Sequence, residues 1–240
     1  KWAGSALMQD EALAVSIAQA VVEACAPFNV PVTLKMRTGW CQQHKNAVPL
    51  ARRFEAAGIQ MLTVHGRTRE QGYKGEAEYD TIAAVKAAVR VPVVANGDIT
   101  SPEKARAVLA ATGADALMIG RAAQGRPWIF REIGHYLATG EHLAPPLVAE
   151  VQRLLLDHLQ DHYQLYGEAT GVRSARKHIA WYVRALPGGE ALRQHINTIE
   201  DCAAQWQAVQ AYFAALGQRM DRLPATAAAT LHEEQEGFCA

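Results

Sequence analysis

The sequence lacks the features that mark several classes of protein. Its 24 basic and 24 acidic side chains leave no net charge over 240 residues, so composition alone points neither to nucleic acid nor to a membrane surface. No run approaches the roughly 18 consecutive apolar residues of a membrane span. The opening stretch KWAGSALMQD has no signal-peptide core. We therefore expect a cytoplasmic protein without a membrane partner, and we expect a monomer.

Cysteine is also scarce and scattered. The four cysteines form no CxxC motif and no evident pairing with histidine, which argues against a zinc site and against a disulfide framework. We therefore predict ordinary thiols and no metal. The four are Cys25, Cys41, Cys202 and Cys239.

The first half of the chain repeats one pattern, a helical stretch followed by a short β-branched run. The runs are bounded by Gly, Pro or Asp, as expected for strands that are buried on both faces. They cover residues 30–37, 59–68, 91–99 and 114–123. Ala-rich amphipathic stretches lie between them at residues 46–58, 79–89 and 101–113, and the last has Ser101 as a cap, Pro102 at its first position and Gly113 as a stop. This alternation predicts a parallel sheet.

Polar residues collect at the C-terminal end of every predicted strand. Any one of them has an ordinary structural explanation, such as a core histidine at His65 or a turn at Asn96 and Gly97. Four strands that end alike instead indicate a ligand site, because parallel α/β proteins bind ligands at this edge. The residues are Lys35 and Arg37, His65 and Arg67, Asn96 and Asp98, and Gly120 and Arg121.

The last two strand ends have the composition of a phosphate site. Gly97 and Gly120 allow a close approach of the backbone to an anion, and Arg121 adds a charge-assisted donor. We then expect Lys35 to face the other end of a long phosphorylated ligand, and His65 to lie between Lys35 and the phosphate site. FMN fits this layout, because a cation near its N1/O2 edge stabilises the anionic reduced ring.

The number of strands falls short of a whole barrel. A (β/α)₈ barrel takes roughly 250 residues, but the alternation stops near residue 138 after four strands. We therefore predict an α/β fold, the C-terminal half of a (β/α)₈ TIM barrel over residues 1–142, and we expect the chain to be a fragment. A small all-α helical bundle follows over residues 143–223, with helices at 147–167, 171–186, 188–199 and 200–220. We expect residues 224–240 to be disordered.

One predicted helix carries a basic cluster. Arg173, Arg176 and Lys177 are spaced to share a face beside Trp181 and Tyr182. Such a face is either solvated or in contact with nucleic acid.

Longer phrases resemble the bacterial tRNA-dihydrouridine synthases, most closely the B subtype. They are AGSALM, VPVTLKMRTGW, LTVHGRTREQGYKGEAEYD, PVVANGDI, DALMIGRAAQGRPWIFREI and ARKHIAWY, in the correct order from Lys1 to about Leu216. The resemblance implies a flavin-dependent reductase with an FMN-bearing barrel and a C-terminal helical domain that holds tRNA. Reduced flavin gives hydride to a uracil ring, NADPH re-reduces the flavin, a cysteine supplies the proton, and the target base leaves its stack.

The resemblance also implies roles for particular residues. Lys35 is similar to the family's flavin-ring lysine and His65 to its strand-end histidine. Asn96, Gly97 and Asp98 match the ANGD cofactor segment, and Gly120 with Arg121 matches the phosphate-binding GR. The implied tRNA contacts are Arg37, Arg67, Arg69, Tyr73, Arg173, Arg176 and Lys177.

The family's proton-donating cysteine has no counterpart in this sequence. It stands in a GCP motif before AGSALM, and no cysteine of this chain has that context, so no catalytic residue is assigned. Two functions from different classes follow, a tRNA-dihydrouridine synthase and a non-catalytic tRNA-binding remnant. Another barrel enzyme, acting on a phosphorylated metabolite, is a weaker third interpretation because it leaves the basic helix unexplained.

Overall fold

The structure, a computed structural model, describes residues 3–224 and divides into two compact units. The first unit covers residues 1–120 and the second residues 121–240. The domain boundary predicted between residues 142 and 143 stays a prediction. The predicted disordered tail lies, from residue 225 onward, outside the described residues.

A parallel sheet forms the centre of the first unit. Its strands lie in chain order, each paired with the next in parallel register, which confirms the α/β class and the parallel sheet. The strands are β1 (Thr33–Arg37), β2 (Met61–His65), β3 (Val93–Asn96) and β4 (Ala116–Met118).

The predicted helices of this unit are present with shorter bounds. A 3₁₀ helix spans Gly4–Gln9, followed by α1 (Glu11–Cys25), α2 (Ala47–Ala56), α3 (Asp80–Ala88) and α4 (Pro102–Thr112). The predicted caps of α4 are confirmed. The Ser101 hydroxyl accepts from the Lys104 amide at 3.2 Å, and Gly113 ends the helix at φ 64°.

Alternation along the strands gives the sheet two different faces. Leu62, Val64, Val93 and Ala95 are fully buried, as are the core residues of the surrounding helices. Because successive side chains point to opposite faces, the intervening residues, among them Lys35 and His65, project from the other face. Burial of the apolar face therefore fixes which side chains are left for a ligand.

Helix α1 corrects one expectation from the sequence. Glu11–Phe28 reaches a mean hydropathy of 1.3 over 18 residues and is only 11% buried, so one stretch is long and apolar enough to cross a membrane. The expectation that no run came close was wrong, because polar residues such as Ser16, Gln19 and Glu23 interrupt the apolar run while its average over 18 residues stays high enough for a span. A single such helix near the N-terminus is weak evidence, and the absence of a membrane partner stays a prediction.

The second unit is helical. After a 3₁₀ turn at Arg121–Ala123 come α5 (Ile129–Thr139), α6 (Val148–Tyr166), α7 (Glu168–Val183), α8 (Gly189–Ile196) and α9 (Cys202–Gly217). The last four match the predicted helices, whereas α5 was not separately predicted. Val151, Leu155 and Leu159 of α6 are buried at helical spacing against Ile179 and Phe213.

A buried glutamine ties three of these helices together. Gln205 of α9 has no exposed surface. Its Oε1 accepts from the Tyr163 hydroxyl at 2.7 Å, and its Nε2 donates to the Val172 carbonyl at 3.2 Å. Because both ends of the buried amide are satisfied, it fixes the relative positions of α6, α7 and α9 rather than destabilising the core.

Candidate functional site

The strand register brings the predicted polar residues of the first three strands together. Arg37 of β1 pairs with His65 of β2, and His65 with Asn96 of β3, so their side chains share one face at the C-terminal edge of the sheet. Lys35 lies on the same face two residues before Arg37. The Asn96 side chain donates to the Met118 carbonyl at 2.8 Å, which holds β4 at this edge.

A buried ion pair lies just beyond this edge. The Arg67 guanidinium donates to both carboxylate oxygens of Asp98, at 2.9 and 2.7 Å, and to the Gly75 carbonyl. The Arg67 side chain is only 3% exposed. Asp98 also accepts from the Ala77 amide at 2.8 Å. The predicted tRNA contact at Arg67 and cofactor contact at Asp98 stay predictions, but the structure already gives both residues an internal role.

Backbone geometry explains why β3 ends in Asn-Gly-Asp. Gly97 has φ 129° and Asp98 has φ 48°, both in the region that disfavours side chains. A Cβ at Gly97 would stand 2.7 Å from the Cβ of Ala77. The Tyr79 hydroxyl donates to the Gly97 carbonyl at 2.9 Å. Glycine is therefore required by the turn and by the close approach of the chain before α3.

Arg37 fixes the segment of residues 66–78, here called the 66–78 loop. Its guanidinium donates to the carbonyls of Thr68 and Gly72, at 2.8 Å each, and lies 5.8 Å from the ring centroid of Tyr73. Arg69 and Tyr73 remain exposed on the loop, Tyr73 by 47%. The loop thus offers a cation and an aromatic ring to solvent above the sheet edge.

The electrostatics of this edge are cationic. Burial, together with the charges of Arg37, Lys35 and Arg67, lowers the pKa of His65 to about 4, so the imidazole is neutral at neutral pH. Burial and the Arg37 charge also lower the pKa of Lys35. A neutral imidazole between cations can exchange hydrogen bonds with a ligand, and the cations favour an anion.

The predicted phosphate residues lie on both sides of the boundary between the units. Gly120 ends the first unit, and a Cβ there would meet nothing within 4 Å. Arg121 opens the second unit at the start of its 3₁₀ turn. Their assignment to a phosphate group stays a prediction.

The basic cluster on α7 is spread over different surroundings. Arg173 and Glu200 are 3.8 Å apart and both exposed, and the ammonium of Lys177 lies 5.9 Å from the Trp181 ring centroid. Arg176 instead donates to the Ile199 carbonyl at 2.8 Å. The expectation that Tyr182 lies beside the basic face was wrong, because Tyr182 is buried in the bundle core.

Sequence reasoning missed two features of the first unit. Tyr79 was not singled out, since its contact with Gly97 spans 18 residues of sequence. The pairing of Cys41 and His44 was also missed; Cys41 Sγ lies 3.0 Å from His44 Nδ1. The spacing of three residues between Cys41 and His44 was the only sign of this contact in the sequence, and such spacing in a loop rarely indicates a contact.

Fold and site together are typical of parallel α/β proteins that bind anionic ligands at the carboxyl ends of their strands. Residues 1–217 match the dihydrouridine synthase family. The chain belongs to this family.

Its relatives include proteins named tRNA-dihydrouridine synthase B. The chain is 58% identical to that of Pseudomonas putida over 221 residues, covering 92% of this chain and 65% of the relative. It is 58% identical to that of Pseudomonas aeruginosa, covering 89% and 64%, and 57% identical to that of Salmonella typhimurium, covering 89% and 65%. The chain thus spans about two-thirds of the length of these relatives or slightly less.

The buried His65 predicts a pH dependence of stability. Because its pKa falls from the ordinary 6.5 to about 4 on folding, the unfolded chain takes up this proton first as pH drops. The His65 contribution is complete above pH 6.5 and declines by about 3 kcal/mol between pH 6.5 and 4. Urea denaturation across this range should therefore show a shallower pH slope for His65→Asn. An exposed control, His195→Asn, should keep the slope of the unmodified protein, and a His65→Asn slope equal to it would contradict the assignment.

Proposed function

We propose that the protein carrying this chain is a tRNA-dihydrouridine synthase, which reduces specific uridines in tRNA to 5,6-dihydrouridine with FMN and NADPH. The observation that carries the proposal is the cationic sheet edge of Lys35 and Arg37 around a neutral His65. Membership of the family and the names of the relatives support it. They also favour an enzyme over a non-catalytic tRNA-binding remnant.

The residues present fit the ring end of FMN. Lys35 offers a cation on the open face of the sheet, and His65 and Asn96 lie on the neighbouring strands of that face. When bound, FMN would supply a hydride to the uracil ring and NADPH would restore its reduced form, while the matching proton would come from a general acid for which no residue of this chain is assigned. Lys35 stabilises negative charge on the reduced ring, while neutral His65 provides hydrogen bonds without competing for that charge.

The phosphate end of FMN is assigned to Gly120 and Arg121, with the backbone at Gly97. The open space at Gly120 suits close approach of an anion, and Arg121 adds a charge-assisted donor. Asp98 contributes indirectly, because its carboxylate is bound to Arg67 and it fixes the turn that contains Gly97.

The sheet is proposed as the C-terminal half of a (β/α)₈ barrel, followed by a helical tRNA-binding domain. Sequential parallel neighbours are the arrangement of strands in a barrel wall, and the order β1-β2-β3-β4 agrees with it. The greater length of the relatives leaves room for the remaining strands.

Two surfaces are proposed to contact tRNA. Arg69 and Tyr73 of the 66–78 loop suit a phosphate and an unstacked base, as a flipped nucleotide requires. Arg37 and Arg67 act by holding this loop. On α7, exposed Arg173 and Lys177 are assigned to phosphates, while Arg176 anchors the helix to Ile199.

The proposed function predicts dihydrouridine synthase activity and a flavin midpoint potential that depends on Lys35. The full-length protein should contain FMN and convert uridine to dihydrouridine in undermodified tRNA with NADPH. Lys35→Met should lower the flavin midpoint potential and slow reduction, because the anionic reduced ring loses its counter-charge. Spectroelectrochemical titration measures the potential, and Lys74→Met, in the exposed part of the 66–78 loop, is the control. A Lys35→Met potential equal to or above the unmodified value, or no dihydrouridine formation by the unmodified protein, would refute the proposal.

The tRNA surface predicts a change in salt dependence. Replacing both Arg173 and Lys177 by Gln should weaken tRNA binding and flatten the slope of log K against log salt by about 0.7 to 0.9 for each phosphate that is no longer neutralised. Flavin content should stay constant. Filter binding at several salt concentrations measures the slope. Arg193→Gln, which removes an exposed arginine paired with Glu190 on α8, should leave it unchanged. An unaltered slope in the double variant would make the α7 face a solvated surface.

A further inference from the structure

Three histidines of the second unit converge where α6 packs against α7. His158 and His162 lie four residues apart and so share one face of α6, and His178 faces them from α7. One ring nitrogen from each lies within 4.8 Å of the others. Neither the sheet-edge site nor the proposed tRNA contacts use these residues.

The rings meet at their edges instead of stacking. The centroid of His178 lies 5.0 Å from that of His158 and 5.3 Å from that of His162, with interplanar angles of 66° and 64°. Trp181 closes one side, 5.0 Å from His178. Because the nitrogens lie on the ring edges, an edge-on meeting brings possible ligand atoms close together.

The surroundings keep two of these rings, His162 and His178, in the form that binds metal ions. Burial, with the charges of His158 and Lys177, lowers the pKa of His178 to about 4, and the same causes lower the pKa of His162. A neutral imidazole keeps a lone pair for a metal at neutral pH, so His162 and His178 need not lose a proton to bind one.

His162 also has an outer hydrogen bond. Its Nε2 lies 2.7 Å from the Ser174 hydroxyl, which donates its own hydrogen to the Thr170 carbonyl at 2.6 Å. The hydroxyl therefore accepts from Nε2–H, and Nδ1 carries the lone pair. Hydrogen bonds of this kind orient the ligating histidines of metal sites.

We propose that His158, His162 and His178 bind a divalent cation of the borderline class, Zn²⁺ in particular, with water as a fourth ligand. Three histidines and a water are an established zinc coordination, and imidazole selects this class over Mg²⁺ or Ca²⁺. Zinc bonds of about 2.0 to 2.1 Å hold tetrahedral nitrogens roughly 3.4 Å apart, so the rings must close by about 1.4 Å at most from 4.8 Å. This departs from the sequence expectation of no metal, which rested on the cysteines alone.

A metal at this point would join α6 to α7, the helix that carries Arg173 and Lys177. Because the three ligands meet only in the folded bundle, the ion stabilises the folded state by mass action. The proposal does not depend on the dihydrouridine synthase function, since metal binding can be measured without flavin, NADPH or tRNA.

The test is a Zn²⁺ titration of the full chain, free of any affinity tag and stripped with a chelator. Calorimetry should show one equivalent bound, and Zn²⁺ should raise the melting temperature. His178→Ala and His158→Ala should each weaken binding by at least about tenfold, the scale of disturbed metal sites. His195→Ala is the matched control, because His195 is exposed on α8 of the same unit, and it should bind as the unmodified chain does.

A second readout reports geometry. Co²⁺ in the same site should give the intense visible absorption of four-coordinate cobalt, and His178→Ala should lose it. The proposal is overturned if no stoichiometric binding occurs, or if both variants, shown to be folded by circular dichroism, bind Zn²⁺ as tightly as the His195→Ala control. If His178→Ala does not fold, His158→Gln provides the same comparison.

Discussion

The buried ion pair between Arg67 and Asp98 is the constraint on which the candidate site depends. It joins the end of β2 to the end of β3, and through the Gly75 carbonyl and the Ala77 amide it also holds the 66–78 loop. A guanidinium that is 3% exposed is tolerated because both of its terminal nitrogens are hydrogen-bonded, although its buried Nε has no partner. Removing the carboxylate would leave the Arg67 charge buried and unpaired, which is strongly destabilising, so the conformation of the 66–78 loop depends on the pair.

This arrangement separates internal from external cations. Arg67 is used inside the loop and Arg37 beneath it, while Lys35 lies on the open sheet face and Arg69 is exposed above. Burial and the charges of Arg37, Lys35 and Arg67 keep His65 neutral, while Lys35 and Arg69 remain accessible to anionic ligands. Under the proposed function, one sheet edge would serve the flavin on its sheet side and the nucleotide on its loop side. The helical unit also contains both kinds of cation, because Arg176 anchors α7 by a hydrogen bond to the Ile199 carbonyl while Arg173 and Lys177 are exposed.

Local signals in the sequence predicted the elements well. The strands are short β-branched runs, and the cap at Ser101 uses residues three positions apart, so both are visible without tertiary information. Features that join distant segments were not predictable. Asp98 lies 31 residues from Arg67, so the ion pair that gives this strand-end arginine an internal role could not be predicted, and its contact with tRNA stays a prediction. Tyr182 was placed on the wrong side of α7 because the basic spacing does not show which face the bundle buries. The three histidines become a group only when α6 packs on α7.

The most direct test of this account is hydrogen exchange in the 66–78 loop of Asp98→Asn. The substitution keeps the shape of the side chain but removes the charge that holds Arg67. Loop amides, that of Ala77 first, should exchange roughly tenfold faster or more, while those of α4 stay protected. Asp115→Asn is the control, because Asp115 also binds a cation and a backbone amide, those of Lys86 and Val93, away from the loop. If the Asp98→Asn loop exchanges as slowly as that of the control, the ion pair does not organise the site, and the account is contradicted.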